Sequence, residues 1–152
     1  MDINHLKYKL QASFPDAQIV EGKQYVEITV PSEELHELAT VLKKSEDTYF
    51  DYLFCLTGVD WVDSLGVIYH LTSTKHNHSI VLKTKTTDHE NPVLDTVSDI
   101  WRTAEYHERE VYDMFGIKFK NHPDMRRFFL DESWVGYPLR KDYKDEENII
   151  ER

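Results

Sequence analysis

Apolar residues follow two different periods in the first thirty positions of the chain. Between residues 3 and 14 they are spaced three or four positions apart, which predicts a helix that Pro15 ends. Residues 17–30 alternate singly instead, and Gly22 and Lys23 separate two such runs. We therefore expect a β-hairpin directly after the first helix.

The next segment predicts a second helix and a buried strand. Leu35, Leu38 and Leu42 form a helical stripe, and Ser32 stands where an N-cap residue belongs. Residues 49–62, by contrast, are almost continuously apolar and aromatic. Such composition is typical of a strand covered on both faces, so we expect this strand at the centre of a sheet.

Two further strands are indicated by residues 66–75 and 79–86, which alternate and flank a short polar turn around Asn77. They predict a long antiparallel hairpin beside the central strand. The sheet should therefore be mixed or antiparallel.

Residues 91–115 predict two more helices. Asn91 followed by Pro92 is typical of a helix start, and apolar residues between positions 93 and 101 supply a helical stripe. Another helix should begin near Ala104.

After Gly116 the periodic pattern decays, and no sustained period appears beyond Asp131. We expect an α+β fold with a mixed, largely antiparallel sheet, helices packed on it, and an irregular, extended C-terminal segment. Residues 1–120 are assigned to the α+β scaffold, and residues 121–152 to an extended docking segment of the same domain.

Composition narrows the functional classes. The formal net charge of −10 opposes the electrostatic attraction on which nucleic-acid binding depends. No apolar stretch approaches the roughly 20 residues needed to span a bilayer, and the N-terminus lacks the apolar core of a signal peptide. Cys55 is the single cysteine, so an internal disulfide is excluded and a reducing compartment is expected.

The helix predicted from Ala104 carries one conspicuous carboxylate. Glu108 falls inside its apolar arc, where an ionised group needs a cation or hydrogen-bond donors. The nearest candidate cations in the sequence are Arg126, Arg127 and Arg140. The opposite side of the helix is expected to be solvated, and its residues are Glu105, Arg109, Glu110, Tyr112 and Asp113.

Three catalytic interpretations of this region find little support. His107-Glu108 lacks the second histidine of a zinc-protease helix, because Val111 stands in its place. Glu108 and Glu110 lie two residues apart and point to different sides of a helix. The glycines are isolated, so no phosphate-binding loop is present. Metal ligation by histidine stays open without a recognised spacing, and the candidates are His5, His36, His70, His76, His78, His89, His107 and His122.

A docking role fits the C-terminal segment better. Pro123 and Pro138 remove backbone donors and suit extended chain, while arginine, tyrosine and tryptophan are enriched at protein interfaces. Long aperiodic stretches in compact domains are usually functional. We therefore expect a partner protein to supply the missing surface.

The run "ERE-VYDMFGIKFKNHPDMRRFFL", continuing to "GYPLRKDY", resembles the signature of the C subunit of NADH-quinone oxidoreductase, which belongs to the peripheral arm of respiratory complex I. The resemblance covers roughly residues 105–143 and is long and idiosyncratic. Its signature positions are Glu108, Arg109, Glu110, Asp113, Phe115, Gly116, His122, Asp124, Arg126, Arg127, Pro138, Leu139, Arg140, Asp142 and Tyr143.

This resemblance implies a non-catalytic structural subunit of a proton-translocating complex that passes electrons from NADH to quinone. It implies no catalytic, cofactor-binding or metal-binding residue here, with FMN, iron–sulfur clusters and quinone carried by other subunits. The implied partners are the quinone-site D subunit and, beside it, the B and I subunits. The implied location is the cytoplasmic side of the bacterial membrane, or the matrix side in an organelle. Because the chain stops at Arg152, we expect the unfused form of the protein.

Two alternatives remain at this point. A homologous subunit of a membrane-bound hydrogenase or ferredoxin-linked complex would show a similar signature. A stand-alone metal-dependent hydrolase would use His107, Glu108 and His122.

Overall fold

The computed structural model describes residues 3–88, 90–127, 130 and 134–141. The elements in chain order are α1 (Ile3–Ser13), β1 (Gln18–Glu21), β2 (Val26–Thr29), a 3₁₀ turn (Ser32–Glu34), α2 (Leu35–Lys44), β3 (Tyr52–Asp60), β4 (Leu65–Ser73), β5 (His78–Thr86), β6 (Val93–Asp95), α3 (Ala104–Phe115) and β7 (Lys118–Lys120). The predicted α+β class is confirmed.

Five strands form the main sheet in the order β1-β2-β5-β4-β3, and β6 and β7 form a separate parallel pair. The β1–β2 and β4–β5 pairs are antiparallel, which confirms both predicted hairpins. β3 pairs antiparallel with β4, whereas β2 pairs parallel with β5, with Val26 opposite Ile80. The sheet is therefore mixed and largely antiparallel, as expected.

The hydrophobic core joins one face of this sheet to the apolar stripes of α1 and α2. Alternate residues along β4 and β5 point into it because successive side chains of a strand point to opposite faces. Its fully buried side chains include Leu10, Ile28, Leu35, Leu38, Leu42, Tyr69, Leu71 and Leu82. The leucine stripe predicted for α2 is thus confirmed.

The predicted cap of α2 is wrong. Ser32 lies inside a 3₁₀ turn that precedes the helix, and neither that turn nor α2 has a side-chain cap hydrogen bond. Pro31, at φ −59°, starts the turn one residue earlier. Ser32 therefore already has turn geometry and cannot act as the half-in residue of an N-cap.

The strand expected at the centre of the sheet lies at its edge. β3 pairs with β4 on one side, and β4 rather than β3 is enclosed between strands. Tyr52 and Phe54 are 47% and 39% exposed, so the apolar run does not reflect burial on both faces. Aromatic side chains suit a pleated surface whether or not it is covered, which explains the error.

The helix predicted over residues 91–101 is also wrong. The Asp88 carboxylate accepts hydrogen bonds from the backbone N–H groups of Glu90 and Asn91, so a turn forms there. The chain then enters β6, which pairs with β7 in parallel. The predicted helix start at Ala104 is confirmed.

Among the residues that the structure describes, no helix combines the length and the apolar character that crossing a bilayer requires.

Candidate functional site

The signature residues gather around α3, which packs against the edge strand β3. Val111 and Phe115 lie on its buried side, close to Gly58 of β3. A Cβ added at Gly58 would stand 2.5 Å from Phe115 Cδ2, so glycine lets the helix approach the strand this closely. Gly116 ends the helix at φ +77°, in the left-handed region that favours glycine.

Glu108 is fully buried, as its place in the apolar arc predicts. Its Oε2 accepts a hydrogen bond from the Val97 backbone N–H at 2.9 Å, and its Oε1 lies in contact with the Thr96 hydroxyl. Burial raises the pKa of this carboxyl from 4.5 to about 7, although both hydrogen bonds act in the opposite direction.

The arginines expected to pair with Glu108 satisfy other groups, so that prediction is wrong. Its donors come from residues 96 and 97, in the segment misassigned as a helix. His122 is also near: its Nε2 lies 3.9 Å from Glu108 Oε1 and 2.9 Å from the Glu105 carbonyl oxygen. Its Nδ1 accepts the Asp124 backbone N–H at 2.9 Å. This nitrogen therefore carries no proton, and His122 is a neutral donor through Nε2.

The helix side predicted to be solvated is partly covered. Asp113 is fully buried, and the Arg127 side chain is 9% exposed. Arg127 Nε donates to Asp113 Oδ1 at 3.0 Å, while its Nη1 donates to the Trp134 carbonyl at 2.8 Å. Its Nη2 donates to the carbonyls of Asp113 and Gly136 at 2.8 and 2.9 Å. The helical wheel missed this because the covering surface comes from residues 134–141, more than a helix length away.

Residues 134–141 also complete the C-terminal end of α3. The last four carbonyls of a helix lack partners within it. Here the Tyr112 carbonyl accepts the Gly116 N–H, the Asp113 carbonyl accepts Arg127, and the Met114 carbonyl accepts the Leu139 N–H. The Phe115 carbonyl accepts Arg140 Nε at 2.7 Å. Two cations thus meet the negative end of the helix dipole and satisfy its terminal carbonyls.

The same segment is anchored at two further places. The Tyr137 ring lies between two guanidinium groups, 5.0 Å from Arg127 Cζ and 5.5 Å from Arg140 Cζ. The Lys141 N–H donates to Asp60 Oδ2 at 2.8 Å, at the end of β3. These contacts hold the described part of the segment against α3 and the sheet.

Other signature residues lie at the surface. The Arg126 side chain is 67% exposed and donates to both carboxylate oxygens of Asp124, at 2.5 and 2.9 Å. Arg109 lies 3.7 Å from the same carboxylate, and Glu110 is exposed. The remaining placements are Phe115 buried, Pro138 half-buried and Leu139 56% exposed, while Asp142 and Tyr143 lie outside the described residues.

Within the described ranges, no three histidine, cysteine, aspartate or glutamate side chains form a group able to hold a metal. His107, Glu108 and His122 therefore do not form such a group, and His89 lies outside those ranges. The sequence interpretation missed Thr96, Asp60 and Tyr137 because each meets its partner across a long stretch of chain.

Comparison with known proteins gives a consistent result. Residues 28–148 match the family described as "Respiratory-chain NADH dehydrogenase, 30 Kd subunit". The chain is 53% identical over 124 residues to the C/D subunit of an NADH-quinone oxidoreductase from Phocaeicola vulgatus, covering 81% of this chain and 24% of that protein. It is 40% identical over 145 residues to the C subunit of an NADH-quinone oxidoreductase from Geobacter sulfurreducens, covering 91% of this chain and 85% of that protein.

A solved structure is also similar. A chain in the "membrane-bound sulfane sulfur reductase (MBS), an archaeal respiratory membrane complex" matches with a TM-score of 0.78 and 26% identity, over 94% of this chain and 86% of that chain. The present chain spans about a quarter of the length of the first C/D relatives. From the matched residues and the relative in Geobacter sulfurreducens, the chain belongs to the family of the 30 Kd subunit of respiratory-chain NADH dehydrogenase.

Proposed function

We propose that this chain is a non-catalytic structural subunit of a proton-translocating NADH-quinone oxidoreductase. In this proposal it docks on the quinone-site D subunit, while the whole complex passes electrons from NADH to quinone. Family membership supports the proposal. So does the name of the Phocaeicola vulgatus relative, which combines the letters C and D in one polypeptide.

The single observation that carries this proposal is how the charged signature residues are used. Glu108, Asp113, Arg127 and Arg140 bond to one another or to backbone groups of the same chain. A catalytic carboxylate or arginine needs donors or acceptors left available for a reacting molecule. Side chains already committed to backbone groups favour a rigid scaffold instead.

The surface of residues 121–141 is the part proposed to meet the partner. Val135 and Leu139 are 50% and 56% exposed on a segment whose backbone is fixed to α3. Ordered apolar side chains bind a partner at little entropic cost, because the segment is already positioned. We extend this docking role to residues 121–152, and propose the B and I subunits as further neighbours.

The proposal includes no redox cofactor in this chain. An iron–sulfur cluster takes up to four cysteine thiolates, and the sequence contains a single cysteine. FMN, the clusters and quinone are then assigned to other subunits. The proposed location is the cytoplasmic face of the membrane, or the matrix face in an organelle.

A pair of equally exposed aliphatic residues provides the test. Leu139 and Val20 are each 56% exposed, but Val20 lies on β1, away from α3. We expect Leu139→Glu to reduce co-purification of the D subunit with the tagged chain at least tenfold, and Val20→Glu to leave it unchanged. Thermal unfolding of both isolated variants checks that each still folds. Equal recovery of the D subunit with both variants would contradict the proposed docking surface.

A related complex with a different electron acceptor or donor is the second candidate. The similar chain in the sulfane sulfur reductase complex favours keeping it, together with hydrogenase and ferredoxin-linked complexes. Purification of the native complex through a tag on this chain separates the candidates. NADH-dependent reduction of a quinone analogue by that complex is expected. Turnover with ferredoxin or hydrogen but not with NADH would favour the related complex.

A further inference from the structure

The hydroxyl of Thr96 has more hydrogen-bond partners than one proton can serve. Its Oγ1 contacts Glu108 Oε1 and lies 2.8 Å from Ser98 Oγ, with donor geometry toward both. The same oxygen already accepts the Ser98 backbone N–H at 3.1 Å. A single hydroxyl proton cannot point at two acceptors at once. If Thr96 donates to Ser98, the proton between Thr96 and Glu108 must come from Glu108.

Within the part of the chain that the structure describes, no cation faces the Glu108 carboxyl to stabilise its ionised form. His122, on the segment after β7, is neutral because its Nδ1 accepts the Asp124 N–H. On α3 the adjacent Arg109 lies toward Asp124 instead, at 3.7 Å. An ionised carboxylate buried without a cation is strongly disfavoured, which favours the protonated form.

The remaining ionisable neighbours act in the same direction. Asp99 lies close enough to raise the pKa of Glu108 further. Tyr69 of β4 is completely buried, and burial followed by the charges of Glu108 and Asp95 raises its pKa. Glu105, one turn earlier on α3, adds no positive charge. Among the described residues, the surroundings are therefore acidic or neutral on every element packed against Glu108.

Thr96 connects this buried acid to an open cleft of about 520 Å³, which it helps to line. His36 and Lys120 are the basic side chains in that lining, and His36 is paired with Asp99 at 2.8 Å. The acidic side chains of the lining are Glu33, Glu37, Asp95 and Asp99. A proton leaving Glu108 through the Thr96 hydroxyl thus reaches water in an acidic cleft that retains cations.

We propose that Glu108 is a proton-binding site, a neutral carboxylic acid that donates to Thr96 Oγ1 and exchanges its proton with the cleft through that hydroxyl. The bound proton holds α3 against residues 96–98, and its loss leaves an unpaired buried carboxylate that weakens this contact. The pKa of about 7 agrees with the geometry. Because the folded-state pKa lies above the ordinary value of 4.5, the stabilisation is complete below 4.5 and is lost as the pH rises through about 7.

The unmodified full chain provides the first measurement. With ¹³C-labelled glutamate, the side-chain carboxyl resonances are followed by NMR from about pH 4 to about pH 9. One glutamate is expected to titrate near 7, and Glu108→Gln identifies it by removing that resonance. Titration of every glutamate near its ordinary value would overturn the proposal, whether or not any variant folds.

Denaturant unfolding supplies the second measurement. Relative to Glu108→Gln, the unmodified chain should lose about two to three orders of magnitude in its folding equilibrium constant between about pH 4.5 and about pH 8. Glu110→Gln is the matched control, because Glu110 is exposed on the same helix. It should follow the unmodified chain. Parallel pH profiles for the unmodified chain and Glu108→Gln would overturn the coupling between proton and contact.

Discussion

Replacing Arg127 with methionine tests whether the C-terminal segment is held by one buried guanidinium. Methionine keeps much of the length of the side chain but removes its charge and all of its donors. The change removes hydrogen bonds to the Asp113 carboxylate and to the backbone carbonyls of Asp113, Trp134 and Gly136. It also leaves the fully buried Asp113 carboxylate without its cation.

The expected cost follows from that burial. Removing one partner of a buried ion pair costs about 3–5 kcal/mol, because the remaining charge stays desolvated. In a chain of this size about 3 kcal/mol lowers Tm by roughly 6–12 °C. Arg126→Met is the matched control, since the Arg126 side chain is 67% exposed. An exposed ion pair contributes about 0–1 kcal/mol, so this control should unfold almost as the unmodified chain does.

Denaturant unfolding of both variants gives the free energies, and hydrogen exchange shows where protection is lost. In Arg127→Met the Leu139 amide, which donates to the Met114 carbonyl, should exchange faster than in the control. The double variant Asp113→Asn with Arg127→Met should recover part of the loss, since it removes the unpaired charge. If Arg127→Met and Arg126→Met unfold within about 1 kcal/mol of each other, the guanidinium does not hold the segment as described.

Three further predictions concern helix packing and pH. Gly58→Ala places a Cβ 2.5 Å from Phe115 and should lower stability by about 1–3 kcal/mol, measured by denaturant unfolding. Gly116→Ala combines φ +77° with a Cβ 2.6 Å from the Tyr137 ring, so thermal unfolding should begin earlier and residues 134–141 should become more sensitive to protease. Burial lowers the pKa of His78 below 6.5, so stability should fall as the pH drops below 6.5, and His78→Gln should flatten that decrease in unfolding midpoints measured across pH.

The sequence predicts most of the elements whose stabilising contacts are local. The stripe of α2 and the two hairpins follow from periodicity and turn residues, because neighbouring positions decide both. The position of β3 does not follow, since Tyr52 and Phe54 suggest burial but lie partly exposed at an edge. β6 is misassigned because its pairing partner, Lys118–Lys120, lies beyond the whole of α3.

The candidate site is predictable to a similar depth. The burial of Glu108 follows from the helical wheel, because the wheel needs only the helix itself. Its actual partners, Thr96 and Val97, do not follow once their segment is misassigned. The burial of Asp113 is missed for a related reason: the surface that covers it is built by residues 134–141, which have no periodic pattern.

The parallel pairing of β2 with β5 has a consequence for how this chain folds. Val26 meets Ile80, so this ladder closes a loop that contains α2, β3 and β4. Closing so long a loop costs chain entropy before the pairing gives any return, whereas the β4–β5 hairpin needs only a short turn. We therefore expect the β4–β5 hairpin to form early and the N-terminal hairpin to join late. Conservative substitutions in β2 should then accelerate unfolding more than they slow refolding.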